Sequence, residues 1–343
     1  MINHRFVCWA TLLLAFSSMA QDYTYTQYDK AMLMLNPSTA GNFDGFERFT
    51  MQQRNQWVGA ATRFNTSFAS GEFTWKKNGF DNQSYLGMGL HAVRDVGGDA
   101  RFGNNQLAAT LAGHLVVSRK SKISAGIQTS YTNRSGNFSD LLFYSQWNGS
   151  SFDPSIATNE PNQVAKFSFV DAAAGISYTF SSASSRVSKR DQRYFNVGIF
   201  AQHIARPKLR YNEITFDRLS PKIGAHFEGE VSLGSTFGLE LKSLQMLQGK
   251  HYLGRYGAFL KTLFKPSAGI TRFKNDSFLS IGSYMSVSGT LSPCFLLDMG
   301  GLQVGFNYDI ELGKISRAYR SSLEFSLSYS FTQKSLFKNT KIK

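Results

Sequence analysis

The sequence predicts an all-β fold, a transmembrane antiparallel β-barrel of about 14 strands with a short irregular N-terminal segment. Three observations support this fold class. Charged residues make up only 17% of the chain, against about 25% in ordinary soluble domains, while aromatic residues reach 14%. Apolar and polar residues alternate over long segments, which indicates strands with one apolar and one polar face. The polar faces carry charges in mid-strand and the apolar faces often end in Phe or Tyr, as a wet lumen and an interfacial girdle require.

The alternation is complete near the C-terminus, between positions 322 and 331. One face there consists of Leu323, Phe325, Leu327, Tyr329 and Phe331. The other face is polar, with Glu324 among serines. The segments 122–132 and 302–311 follow the same rule. These lengths suit tilted spanning strands of about 9–11 residues better than sandwich strands of about 5–6. Because only a closed sheet satisfies every backbone group in lipid, spanning strands imply closure.

Thirteen strands can be placed from the pattern, whereas a single-chain bacterial barrel has an even number. They lie near 46–57, 66–76, 84–93, 105–117, 122–132, 167–180, 194–203, 223–233, 236–247, 251–263, 278–288, 294–310 and 321–331. The total of 14 requires either a further strand at Lys208–Phe216 or a segment that was divided wrongly. Residues 118–121 and Gly234-Ser235 are predicted periplasmic turns, and Asn133–Lys166 is the predicted long external loop.

The first 20 residues are predicted to be a secretory signal peptide. Arg5 supplies a positive n-region, residues 6–16 are apolar, and Ser18-Met19-Ala20 is a small-x-small cleavage site. A membrane anchor is the alternative, but the apolar run is shorter than the roughly 20 residues that a spanning helix needs. The predicted organisation is therefore a signal peptide at 1–20, a periplasmic or lumen-capping segment at 21–45, a barrel at 46–331 and a basic tail at 332–343.

No pattern of catalytic, cofactor-binding or metal-binding residues stands out, so we predict that the protein is not an enzyme and takes no cofactor. Gly87-x-Gly89-x-x-Ala92 imitates a dinucleotide fingerprint, but it lies within a predicted strand and lacks the following helix. The histidines are scattered, and Cys294 is the one cysteine left after cleavage. The net charge of +14 matches phosphate-rich outer-membrane lipid, and a secreted barrel does not meet nucleic acid.

The stretch 27–57 carries the most distinctive motifs. It contains Gln27-Tyr28, Leu35-Asn36-Pro37-Ser38-Thr39-Ala40-Gly41 and Arg54-Asn55-Gln56-Trp57, and Asn36-Pro37 predicts a turn. These elements resemble the PorP/SprF family. The same resemblance extends over nearly the whole mature chain, through the motifs at 86–90, 95–98, 265–267, 305–309 and 322–325. The family has an aromatic residue at the position of Thr39.

The resemblance implies an outer-membrane barrel of the type IX secretion and gliding machinery. Such a protein would dock periplasmic machinery, including a lipoprotein, or anchor an exported surface protein. A porin-like channel for small solutes is the alternative function. The positions that carry the motif are Gln27, Tyr28, Asn36, Pro37, Ala40, Gly41, Arg54, Gln56, Trp57, Tyr308 and Asp309.

The state of the lumen separates the two functions. The segment 21–44 is long enough to enter or cap the lumen, and the predicted inward side chains offer it polar partners. Arg54, Glu240, Lys242, Asp309 and Glu324 are expected to face inward and to pair with one another or with this segment. We also expect Trp57 at a membrane interface. The sequence leaves open whether the segment enters the barrel.

Overall fold

The computed structural model is a closed antiparallel barrel of 14 strands, which confirms the predicted fold class. It describes residues 22–58, 63–75, 83–98, 100–136, 141–158, 166–182, 193–210, 217–265, 276–313, 321–332 and 335–337. The barrel strands are β1 (Glu47–Gln56), β2 (Phe64–Trp75), β3 (Tyr85–Gly97), β4 (Phe102–Ser118), β5 (Ser121–Ser135), β6 (Lys166–Ser181), β7 (Arg193–Gln202), β10 (Lys222–Leu233), β11 (Phe237–Gln248), β12 (His251–Lys265), β13 (Ser277–Ser286), β14 (Thr290–Met299), β15 (Leu302–Glu311) and β16 (Ser321–Ser330). The predicted signal peptide and the lysines of the tail lie outside the described residues.

The missing fourteenth strand lies within the segment predicted as 294–310. Gly300 and Gly301, with φ of 62° and 112°, turn the chain between β14 and β15, and glycine adopts this region without a steric penalty. The alternative at Lys208–Phe216 is wrong for its described residues, 208–210, and its residues 211–216 lie outside the described part of the chain. Residues Lys208–Leu209 (β8) pair with Asp217–Arg218 (β9) in a separate two-stranded sheet. The other predicted strands each fall on one barrel strand, with ends that differ by a few residues.

The two ends of the barrel differ in the length of their connections. We call the end that holds the start of β1 and the end of β16 the inner rim, and the opposite end the outer rim. Short turns lie at both rims, such as 119–120 and 300–301 at the inner rim and 249–250 at the outer rim. The two longest connections, 136–165 and 203–221, are both at the outer rim. Because outer-membrane barrels have short periplasmic turns and long extracellular loops, the inner rim faces the periplasm.

The outer face of the barrel is apolar, as the alternation predicts. Phe325 is 47% exposed, while its neighbour Glu324 is buried on the lumen side. Aromatic rings cluster near the inner rim, where Phe49 lies 6.2 Å from both Phe73 and Phe331 in edge-to-face geometry. Such a belt is typical of a membrane interface. Among the helices of the described residues, none is long and apolar enough to cross a membrane.

The buried core lies inside the barrel, where lumen-facing wall residues pack against residues 22–46, which we call the plug. A 14-stranded barrel is wider than the small barrels that wall side chains alone can fill. The plug contains a one-turn helix, α1 (Met32–Leu35), and a 3-10 turn, Pro37–Thr39. Tyr25, Tyr28 and Leu35 are almost fully buried and form one cluster with wall residues such as Leu244 and Phe259.

Candidate functional site: the plug and the lumen wall

The first described residue of the plug, Asp22, lies at the outer rim. Its Oδ2 atom accepts hydrogen bonds from His203 at 2.7 Å, Lys222 at 2.8 Å and Gln248 at 3.1 Å. These partners follow or belong to the rim-side ends of three different strands. The other ring nitrogen of His203 lies 2.5 Å from Oδ2 of Asp171. Burial disfavours the charged imidazole, but the hydrogen bonds to Asp171 and Asp22 outweigh burial and raise the pKa of His203.

The plug next meets a buried charge cluster toward the outer-rim ends of β1, β15 and β16. Arg54 of β1 contacts Glu324 of β16 at 2.5 Å and Asp309 of β15 at 3.0 Å. Strand register places Arg54 directly opposite Glu324. Arg54 also donates to the backbone oxygen of Thr24 and to Oγ1 of Thr26. One guanidinium therefore holds two wall carboxylates and the plug together, and its fork geometry suits several acceptors at once.

Gln27 belongs to the same cluster, whereas Tyr28 contacts a different part of the wall. The backbone N–H of Gln27 donates to Oε2 of Glu324 at 2.9 Å, and its side-chain amide donates to Asn307 at 2.7 Å. Ser326 donates to the side-chain oxygen of Gln27 at 2.8 Å. Tyr28 packs edge-to-face on Tyr284, with ring centroids 6.0 Å apart.

A second ion pair ties the plug to the opposite wall. Asp29 lies 2.8 Å from Nζ of Lys242 and accepts a hydrogen bond of 2.6 Å from Tyr284. Glu240 lies 3.6 Å from the same Lys242. The inward charges expected from the sequence thus pair both with one another and with the plug.

The turn at 36–41 lies against the inner side of β4, β5 and β6. The side-chain oxygen of Asn36 caps the turn by accepting from the N–H of Ser38 at 3.0 Å, and Pro37 occupies the first position of the 3-10 turn. The Asn36 amide lies 3.0 Å from Nε2 of His226. The Ala40 carbonyl lies 2.8 Å from Nε2 of His114, and Gly41 donates its N–H to Glu72 at 3.0 Å. Asn36, Ala40 and Gly41 therefore each have a partner on the wall.

Glycines on the lumen face let the plug approach the wall backbone. A Cβ atom at Gly87 would lie 1.9 Å from the Ala40 oxygen, and one at Gly126 would lie 2.4 Å from the Pro37 backbone. At Gly305 a Cβ would lie 2.1 Å from the side-chain oxygen of Gln27. Since real Cβ atoms cannot approach so closely, larger residues here would displace the plug. The glycines that imitate a dinucleotide fingerprint thus make room for the plug.

Three motif positions lie away from the contacts between plug and wall. Tyr308 projects from the outer face and is 41% exposed, whereas its neighbour Asp309 is fully buried and accepts from Thr26. Gln56 ends β1. Trp57 follows it and packs edge-to-face on Phe64 at 5.1 Å.

Several residues of this interface were not predicted from the sequence. Glu72, His114, His226 and the group of Asp22, Asp171 and His203 were not singled out as plug contacts. For most of them, alternation along the predicted strand indicated a side chain that faces the lumen. Alternation does not indicate what occupies the lumen. Within the described ranges, no group of three His, Cys, Asp or Glu side chains is arranged to hold a metal ion.

The architecture and the apolar belted surface define a bacterial outer-membrane β-barrel, here with a polypeptide segment inside its lumen. The family model for "Type IX secretion system membrane protein PorP/SprF" matches residues 17–329. The chain belongs to this family, which confirms the resemblance seen in the sequence, and it is a barrel component of the type IX secretion system.

Solved structures with a similar fold are remote in sequence. A Pseudomonas aeruginosa FadL homologue is 10% identical with a TM-score of 0.48, over 86% of this chain and 93% of that chain. The CymD monoaromatic hydrocarbon channel is 11% identical with a TM-score of 0.47, over 87% of this chain and 92% of that chain. The comparison with curated proteins finds no match. No substrate or activity follows from these similarities.

Proposed function

We propose that this protein is a plugged, non-conducting barrel that serves as an assembly component, docking periplasmic secretion machinery or anchoring exported surface protein. The observation that supports this proposal is the plug itself. It contacts the wall from Asp22 at the outer rim to Gly41 near the inner rim. A segment bound along this whole path occupies the space through which solutes would pass.

The energetics favour a plug that stays in place. Withdrawal of the plug would leave Glu324, Asp309 and Lys242 without their plug partners. The contact of Lys242 with Asp29 is an ion pair, while Glu324 and Asp309 accept hydrogen bonds from the plug, and a hydrogen bond to a charged group contributes about 1.5–3 kcal/mol. The plug also buries Tyr25, Tyr28 and Leu35, and each fully buried side chain of this size contributes about 1.5–3 kcal/mol. Opening by loss of the plug would therefore be rare without a partner that binds the open state.

The 36–41 turn is buried inside the barrel, which limits the surfaces where a partner could dock. Asn36, Ser38 and Ala40 are fully buried, so a partner reaches them only if the plug leaves. We infer that this motif seats the plug, and that machinery docks on the rims. Periplasmic proteins, including a lipoprotein, have access to the inner rim, whereas exported proteins have access to the outer rim.

Planar-bilayer recording tests the non-conducting state. We expect the purified full-length protein to insert without discrete conductance steps. Gly87→Ala should produce steps because it displaces the turn at Ala40, while Gly113→Ala is the matched control, since a Cβ there meets no atom within 4 Å. Stable, solute-selective channels of the unmodified protein would overturn the proposal and favour the porin-like alternative.

A secretion assay tests the docking role. The double variant Asn36→Ala, Pro37→Ala should lower the amount of folded barrel and the export of type IX cargo together, because the turn seats the plug. Normal barrel yield with lost export would instead mark the turn as a docking surface exposed at some stage of secretion. Normal yield and normal export would contradict a role for the turn in either process.

A further inference from the structure

The outer-rim connection 136–165 contains a small ordered structure, which we call the knuckle (residues 141–158). Its 3-10 turn spans Tyr144–Gln146, and Trp147 bridges to Phe152 as an isolated antiparallel pair. The buried side chain of Gln146 links the chain before Trp147 to the chain after Phe152. It accepts from the N–H of Phe143 at 3.0 Å and donates to the carbonyl of Ile156 at 3.0 Å.

Hydrogen bonds within the knuckle hold its fold, so its aromatic rings are not needed in a core. They lie on its surface. Tyr144 is 88% exposed, and Trp147 and Phe152 are each more than two-fifths exposed, with ring centroids 5.0 Å apart. Leu142 adds a further exposed aliphatic side chain. Rigid Tyr and Trp side chains surrounded by Ser, Gly and Asn are the composition of protein-recognition loops. Tyr and Trp are also the residues that most often dominate binding energy at protein interfaces.

The acidic composition of the connection 136–165 indicates which class of partner the knuckle would bind. Residues 136–165 contain Asp140, Asp153 and Glu160 but no Lys, Arg or His, in a chain of net charge +14. A surface that binds phosphate-rich lipid needs basic residues, and this loop has the opposite charge. A complementary partner presents apolar pockets for the rings and neutral or basic groups around them.

We propose that the knuckle is a docking surface for an exported protein, which inserts Tyr144 and Trp147 into an apolar pocket with a basic rim. This inference rests on the proposed function, because it assigns the cargo-binding side of the assembly to the outer rim. The ring pair of Trp147 and Phe152 supplies apolar surface for the contact, and Asp153, next to Phe152 in the chain, supplies the acidic charge that a basic rim would meet.

Site-specific photocrosslinking in cells tests the inference. A photoreactive amino acid at position 144 should give a discrete, protease-sensitive adduct with an exported protein. The same probe at Ile127, a lipid-facing position that is 65% exposed, is the matched control and should give no protein adduct. Trp147→Ser should reduce the yield of the adduct at position 144 by about tenfold or more, while heat-modifiable migration shows that the barrel still folds.

Phe152→Ser and Asp153→Lys provide independent variants. Phe152→Ser should reduce the adduct because it removes the ring against Trp147, and Asp153→Lys should reduce it because it reverses the charge beside the rings. An adduct with lipopolysaccharide or with a second copy of this chain, no adduct, or an adduct unaffected by Trp147→Ser would overturn the inference. Conductance and export measurements test the proposed function separately. If the protein gives no crosslinked adduct but is non-conducting and supports normal export, only the docking role of the knuckle is refuted.

Discussion

The substitution Arg54→Ala tests the idea that a buried charge cluster holds the plug. It would leave Glu324 and Asp309, which are 1% and 0% exposed, as like charges without their shared cation. Removal of one partner from a buried pair costs about 3–5 kcal/mol. Since about 1.4 kcal/mol is a factor of ten, the population with a displaced plug should rise roughly a hundredfold to several-thousandfold.

Cys294 offers a native reporter for this change. It is the one cysteine of the mature chain predicted from the sequence, it is 5% exposed, and it belongs to the same buried cluster as Tyr25 and Tyr28 of the plug. Its rate of modification by a water-soluble maleimide should follow the population in which the plug has moved. Lys250→Ala, at an exposed turn position, is the surface control and should leave the rate unchanged.

A charge-neutral variant separates two effects of Arg54→Ala: the loss of attraction to Arg54, and the repulsion that remains between Asp309 and Glu324. Arg54→Met combined with Asp309→Asn and Glu324→Gln removes all three charges, so its labelling rate should lie much closer to that of the unmodified protein. A labelling rate of Arg54→Ala equal to that of Lys250→Ala would refute the reasoning, because it would mean that the plug is held without this cluster.

Three further predictions concern the wall, the turn and the rim. Phe325→Arg should block barrel assembly, measured as heat-modifiable protein in the outer membrane, because a lipid-facing charge near the midplane costs about 2–4 kcal/mol; Phe325→Leu should assemble normally. Gly87→Ala should raise the protease sensitivity of the plug while Gly113→Ala leaves it unchanged, because only the first Cβ meets plug atoms; equal sensitivity would contradict the close approach of the turn. The pKa of His203 is raised in the folded protein, so its protonated ring stabilises the contact with Asp22. This stabilisation is complete at a pH below the unfolded pKa of about 6.5. It is lost as the pH rises through the folded pKa. Hydrogen exchange at the start of the plug should therefore accelerate as pH rises, beyond its intrinsic pH dependence, in the unmodified protein but not in His203→Gln.

The sequence determined most of the wall. Alternation with a period of two separates Phe325 from Glu324 without knowledge of the fold, because neighbouring side chains on a strand point to opposite faces. The even strand number then corrected the count to 14. It could not locate the missing strand, because the apolar pattern runs through Gly300-Gly301 with little interruption. The inward parity of Arg54, Asp309 and Glu324 was likewise readable.

Only the tertiary structure decided what fills the lumen. The segment before β1 has no periodicity, so local sequence does not say whether Asn36 caps a turn inside the barrel or outside it. Strand parity names the inward side chains, but the closure of 14 strands decides which of them meet across the lumen. The contact between Asp22 and His203 joins residues far apart in sequence, and the glycine at position 87 gains its meaning from the Ala40 carbonyl against it. These contacts exist because a barrel of this width leaves a cavity that its wall cannot fill, and the plug supplies the apolar groups, donors and charges that match it.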